Sequence, residues 1–164
     1  MRDYQVDTSG ARAQIEAVVE RAANTEKALR VIGRQAVSEV KLNFIEGGRV
    51  PENWVEQSGL FSLAPGGGYV EPGKWKPLSP RTLLMRRKSA RGAKILIDTG
   101  VLMSSITFKI EGDALLVGTI VKYGKYHQHG TNRIPPRPFI TFLPDTMREF
   151  RSTAKRFLVT GEVA

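Results

Sequence analysis

Three prolines within four residues constrain this chain more than any other feature. They lie in Ile134-Pro135-Pro136-Arg137-Pro138-Phe139, shortly after His127-Gln128-His129-Gly130. Each proline fixes φ and lacks a backbone donor, so the segment cannot be helix interior or central strand. It must be an extended, stiff arm that delivers Phe139 and Ile140 to a defined place. Stiffness of this degree implies a docking task.

The rest of the chain must supply something to dock against. Its 164 residues are 41% hydrophobic, which fits a single domain, 1–164, with a modest core. No apolar run approaches the ~20 residues of a membrane span. The start, Met1-Arg2-Asp3-Tyr4-Gln5, has no apolar signal-peptide core. There are no cysteines, which excludes disulfides and thiolate metal sites and fits synthesis in a reducing cytosol.

Net charge is +9, and it is unevenly placed. Between Pro72 and Lys94 stand Lys74, Lys76, Arg81, Arg86, Arg87, Lys88, Arg91 and Lys94, with no acid among them. That segment alone carries +8. Such a block stays solvated unless something anionic lies nearby. Its candidate contacts are DNA or an acidic protein partner. No groove-reading motif accompanies it, so any DNA contact is to phosphate and is salt-sensitive.

The periodicities predict an α+β fold. Residues 10–47 read as N-terminal helices. In the first, capped by Thr8 or Ser9, Ile15, Val18, Val19 and Ala22 recur at helical spacing. Thr25 is placed to cap a second, whose apolar stripe is Leu29, Ile32, Ala36, Val40 and Phe44. Lys27, Arg30, Arg34, Glu39 and Lys41 form the opposite face, and Gly47-Gly48 ends the helix. Residues 49–94 lose periodicity and are punctuated by five prolines and Gly66-Gly67-Gly68, reading as a flexible basic arm or insertion. Within it, Ser79-Pro80 has the form of a helix start.

Order returns over 95–160 as strands and a C-terminal helix. Ser105 to Ile110 alternates polar and apolar, Glu111-Gly112-Asp113 reads as a hairpin turn, and Ala114 to Val121 returns. Phe139 to Leu143 reads as a further strand. The last helix starts near Asp145, with Met147, Phe150, Ala154, Phe157 and Leu158 as its stripe. The plan is α+β: N-terminal helices, a long extended arm, a small antiparallel sheet and a C-terminal helix.

Candidate chemistry is sparse. Asp98-Thr99-Gly100 after an apolar run matches the aspartic-protease tripeptide, where two aspartates share a proton. A retroviral-type enzyme would dimerise to supply the second, and Leu116-Val117-Gly118 imitates its downstream segment. Such enzymes are almost all β, which two long helices contradict. The simpler reading is a turn cap at Asp98 or Thr99. His127 and His129 could face one metal only if extended, and no third ligand is evident. Tyr123, Tyr126 and His127 interleave with Lys122 and Lys125, a base-stacking pattern or a packed turn. No hydrolytic triad is evident, and the glycine run lacks the lysine of a phosphate loop.

Three ordered blocks carry a resemblance. They are Trp75-Lys76-Pro77-Leu78-Ser79-Pro80; then Leu96-Ile97-Asp98-Thr99-Gly100 with Leu102 and Ser105-Ile106; then Tyr126-His127-Gln128-His129-Gly130 with the proline segment. Their order and spacing resemble the phage virion morphogenesis family of Mu-like phages, related to tail-completion proteins, over about Trp75 to Phe150. A histidine at 129 departs from the aromatic or aliphatic residue expected there. The resemblance implies a non-enzymatic virion protein of the neck or tail end, built in the host cytoplasm, with no cofactor. It implies tail completion or head–tail joining, self-assembly as a ring (commonly a hexamer), and contacts with neighbouring neck and tail proteins. DNA passing through the lumen is a further partner. Trp75, Pro77, Asp98, Gly100, His127, Gly130, Pro136, Arg137 and Phe139 are then structural or interface residues. The proline arm and the N-terminal helices are the candidate ring contacts. A sequence-nonspecific nucleic-acid-binding module using 74–94 is the alternative.

Overall fold

The computed structural model describes residues 9–52, 72–88 and 94–163. Helices α1 (Ser9–Ala23) and α2 (Glu26–Glu46) come first, then α3 (Pro80–Lys88) and the single turn α4 (Val101–Ser104). Strands β1 (Ile106–Glu111) and β2 (Ala114–Thr119) follow, then α5 (Gly124–His129) and α6 (Pro144–Thr160). The two strands pair antiparallel, so the fold is α+β, with helical ends around a small sheet.

Helix α2 is the spine. Ile32, Ala36, Val40 and Phe44 are buried at steps of four, one face of a 3.6-residue period. A Cβ at Gly33 would come within 2.7 Å of the Phe108 ring, so the missing side chain lets β1 lie close against the helix. Gly47 ends α2 at φ 77°, and the N–H groups of Gly47 and Gly48 bond the Phe44 and Asn43 carbonyls at 3.3 and 3.0 Å. Gly47 adopts the left-handed geometry that favours glycine. Thr25 precedes α2 without a side-chain capping bond, because its backbone is itself helical. Its carbonyl instead accepts from the Leu29 N–H at 3.0 Å.

The hairpin follows the expected alternation. Ile106, Phe108 and Ile110 turn inward and Thr107, Lys109 and Glu111 outward. Register runs from Ile106 opposite Thr119 to Glu111 opposite Ala114, leaving a two-residue loop with Gly112 at φ 60°. On the outward side of β2, Leu116 and, just past its end, Ile120 are exposed.

The core gathers residues from distant parts of the chain: Val40, Phe44, Val50, Trp75, Leu102, Ile106 and Phe139. Phe44 is its centre, with Trp75 edge-on at 5.8 Å and Phe139 tilted at 5.2 Å between ring centroids. Pairs of this geometry add about 0.5–1.5 kcal/mol each beyond area burial.

Two expectations need correction. Phe139 to Leu143 is not a strand. Side chains do there what a neighbouring strand would do. Gln128 Oε1 accepts the Phe139 and Ile140 N–H groups at 2.9 and 3.1 Å, and Asn43 Nδ2 donates to the Phe139 carbonyl at 2.8 Å. With the Phe139 and Ile140 backbone groups already bonded, those two residues have no need of a neighbouring strand.

The described parts of 49–94 are also not one free arm. Val50 and Gly73 form a two-bond antiparallel bridge at 2.9 and 2.8 Å, and Val50 and Trp75 sit in the core. A large indole buried to 4% exposure anchors its neighbours. Helix α3 starts as expected, with Ser79 Oγ accepting the Thr82 N–H at 3.2 Å. Gly66-Gly67-Gly68 and Arg91 lie outside the described residues.

Candidate functional site

The proline segment leaves α5 through Gly130, at φ 76° and ψ 177°, a region essentially reserved for glycine. A Cβ there would also stand 2.8 Å from the Pro136 nitrogen. The Thr131 N–H bonds the Ile134 carbonyl at 2.8 Å and closes a tight loop. Pro136 is half-buried, Arg137 and Pro138 are buried, and Phe139 is 1% exposed. The segment thus docks, and it docks inside its own chain.

Its partner is the 72–79 segment. Trp75 Nε1 donates to the Pro138 carbonyl at 2.9 Å. Arg137 Nε and Nη2 donate to the Lys76 carbonyl at 3.3 and 3.2 Å, and Nη2 reaches the Pro77 carbonyl at 3.4 Å. The Arg137 N–H donates to the His127 carbonyl at 2.7 Å. One arginine therefore ties three segments together. Burial and the neighbouring Arg86 both push its pKa down.

Beside this knot lies a cavity of about 550 Å³. Arg86, Asp98, His127, Arg133 and Arg137 supply its polar lining, and Pro77, Leu78, Leu96, Val101 and Tyr123 its apolar walls. Asp98 is exposed and pairs with Arg86 at 3.8 Å. Asp98 and Thr99 do not cap α4. That position belongs to Gly100, at φ 79°, whose carbonyl accepts the Ser104 N–H at 2.9 Å. The tripeptide is a turn in a chain with one two-stranded sheet among the described residues, which is not the β-rich setting of an aspartic protease.

His127 and His129 both lie on helical α5, where side chains two apart diverge, so they do not converge on one ion. Among the described residues no group of three or more candidate ligands gathers. Burial, then Arg137, lowers the His127 pKa, and its Nδ1 is buried without a partner. Burial alone lowers that of His129. Tyr123 packs edge-on against His127 at 5.9 Å, and Lys125 Nζ stands 5.1 Å from the Tyr126 ring centre. Both tyrosines stay exposed, at 43% and 47%, so the rings sit at the surface of a helical turn and not in a turn packed on the sheet.

The basic block is divided. Lys74, Lys76, Arg81, Arg87 and Lys94 are exposed. Lys74 Nζ also reaches back to the Glu46 carbonyl at 2.8 Å. Arg86 turns inward, its side chain 17% exposed, with Nη1 on the Lys94 carbonyl at 2.7 Å. Lys88 ends α3.

Helix α1 presents the other unusual surface. Ile15 and Val19 are 64% and 63% exposed, and Val18 is exposed too. The helix is held mainly along α6, where Arg21 Nη1 donates to the Leu158 and Val159 carbonyls at 3.0 and 2.7 Å. A cation on the last carbonyls of a helix complements its dipole.

Sequence reasoning missed two residues that hold the site. Asn43 is 1% exposed and also donates to Thr141 Oγ1 at 2.8 Å. It falls within the α2 stripe, and a polar residue on an apolar face signals a hydrogen-bonding task. Gln128 sits between two histidines, and nothing in its pattern marks it.

The phage virion morphogenesis family model matches residues 70–158, more than half of the chain, and the chain belongs to that family. The match runs from just before the Trp75 anchor through the cavity and the proline segment into α6. Membership suggests a structural part in building a phage virion and fits a virion-associated protein. No described helix is long and apolar enough to cross a membrane. No curated protein and no solved structure matches the chain.

Proposed function

We propose that this protein is a neck component that completes the tail or joins it to the head, assembling as a ring, as in Mu-like phages. The observation that carries the reading is α1. Its apolar stripe is regular yet left uncovered by the described chain, as a subunit built to be covered by a neighbour would leave it. Ring closure needs two different complementary patches on each subunit. Helix α1 supplies one of them. The mechanism is assembly alone: apolar and charge-complementary surface fixes the neighbour, with no reaction and no cofactor.

Light scattering over a concentration series tests this. A discrete ring-sized species is expected, commonly a hexamer for this architecture. A strict dimer would count against it. The exposed Lys74, Lys76, Arg81, Arg87 and Lys94 favour a second reading, contact with DNA in the lumen or with an acidic neighbour. Duplex binding that falls steeply with salt and ignores sequence would support the DNA contact.

A further inference from the structure

The cavity beside the proline segment holds more positive charge than its own lining neutralises. Arg86, Arg133 and Arg137 line it, and Asp98 is the only carboxylate among the described lining residues. His127, with its pKa lowered, adds no charge at neutral pH. Arg137 is 7% exposed, and its Nε and Nη2 donate to backbone carbonyls rather than to a carboxylate. Burying a cation without an anion is costly, and the lowered pKa of Arg137 reports that cost. A carboxylate placed there would relieve it with charge-assisted bonds.

The shape selects the occupant. Arg137 is only 7% exposed, whereas Leu78, Val101 and Tyr123, which line the same cavity, lie nearer the surface. A duplex phosphate rides on a broad rod and stays at the rim, whereas an acidic side chain on a narrow loop can enter. The chain displays such a loop at Glu111-Gly112-Asp113. Glu111 pairs with Lys109 at 2.6 Å, whereas exposed Asp113 has no ion pair among the described residues. The loop stands six strand residues, roughly 20 Å, from the hairpin base that follows α4, and it takes no part in lining its own cavity.

We propose that the cavity is a socket for carboxylates, filled by the hairpin end Glu111–Asp113 of a second copy of this chain. This rests on the ring reading above and gives the ring its head-to-tail contact. Both patches lie on one subunit and differ from one another, as such a contact requires.

Charge exchange tests it. Arg133 and Asp113 are both exposed, so Arg133→Glu and Asp113→Lys should leave the thermal midpoint of the folded subunit unchanged. In light scattering at low salt, each variant should weaken self-association by about tenfold or more. Mixing the two variants, or combining both changes in one chain, should restore it, because opposite charges then face each other again. Single variants that assemble like the wild type overturn the socket and leave the ring standing. A wild-type dimer that loses and regains association as described overturns the ring and keeps the socket. A wild type that stays monomeric at the highest concentration reached overturns the socket. So would a duplex oligonucleotide that binds the wild type and not Arg133→Glu, since it would give the cavity to phosphate.

Discussion

The proline segment and helix α1 make opposite use of apolar side chains. Phe139 arrives at the core on a stiff, poorly hydrogen-bonding strip and is almost wholly buried. Ile15 and Val19 arrive on a regular helix, with backbone groups already satisfied, and stay exposed. Regularity therefore does not decide burial. The proline strip is buried because Gln128, Asn43 and Trp75 each meet one or more of its backbone groups. Helix α1 needs no such partners and can wait for another molecule.

That contrast can be broken from either side. Phe139→Ala should cost about 3–5 kcal/mol in urea unfolding, as deletion of a large core aromatic does. A near-wild-type midpoint would mean that the segment docks elsewhere. Asn43→Leu should cost about 1–3 kcal/mol, because it leaves the buried Phe139 carbonyl without its donor. Gly130→Ala, at a glycine-only backbone geometry with Pro136 in the way, belongs in the same range of about 1–3 kcal/mol, read by thermal unfolding.

Acid should act on the proline side of the comparison. The His127 pKa is lowered in the fold, so below the ordinary histidine value of about 6.5 the unfolded chain takes up a proton that the folded chain resists. Stability is full above that pH and falls as pH drops through it. His127→Phe should flatten this slope in unfolding curves taken between pH 8 and 5. The smallest effect on stability belongs to α1. Ile15→Ser and Val19→Ser should each shift unfolding by no more than about 0.5 kcal/mol while reducing self-association. If either change destabilised the monomer strongly, that face would be covered by its own chain.

Periodic features were legible in the sequence. The α2 stripe, the Gly47 end, the hairpin alternation and the Ser79-Pro80 start depend on neighbours a few residues away, and local spacing records those. Val50, Trp75 and Arg137 were harder, because their partners lie tens of residues distant and no period links them. The strand expected over Phe139 to Leu143 fails for the same reason. Its residues have strand character, but Asn43 and Gln128 take the bonds a ladder would need. The cavity was half legible. Asp98, His127 and Arg137 stood out as motif residues, while the inward turn of Arg86 was hidden in a basic run that reads as solvent-facing.

The dependence of the core on Phe139 also sets a schedule for synthesis. Phe44 leaves the ribosome 95 residues before the ring that packs against it. At ~5–20 residues per second, the apolar face of α2 waits roughly 5–20 s for that part of its cover. Throughout that interval a nascent subunit shows two sticky helices, and only one of them should be sticky when the chain is finished. Translation order thus makes premature pairing through α2 a competitor of proper assembly, and the stiffness of the proline strip shortens the search that ends it.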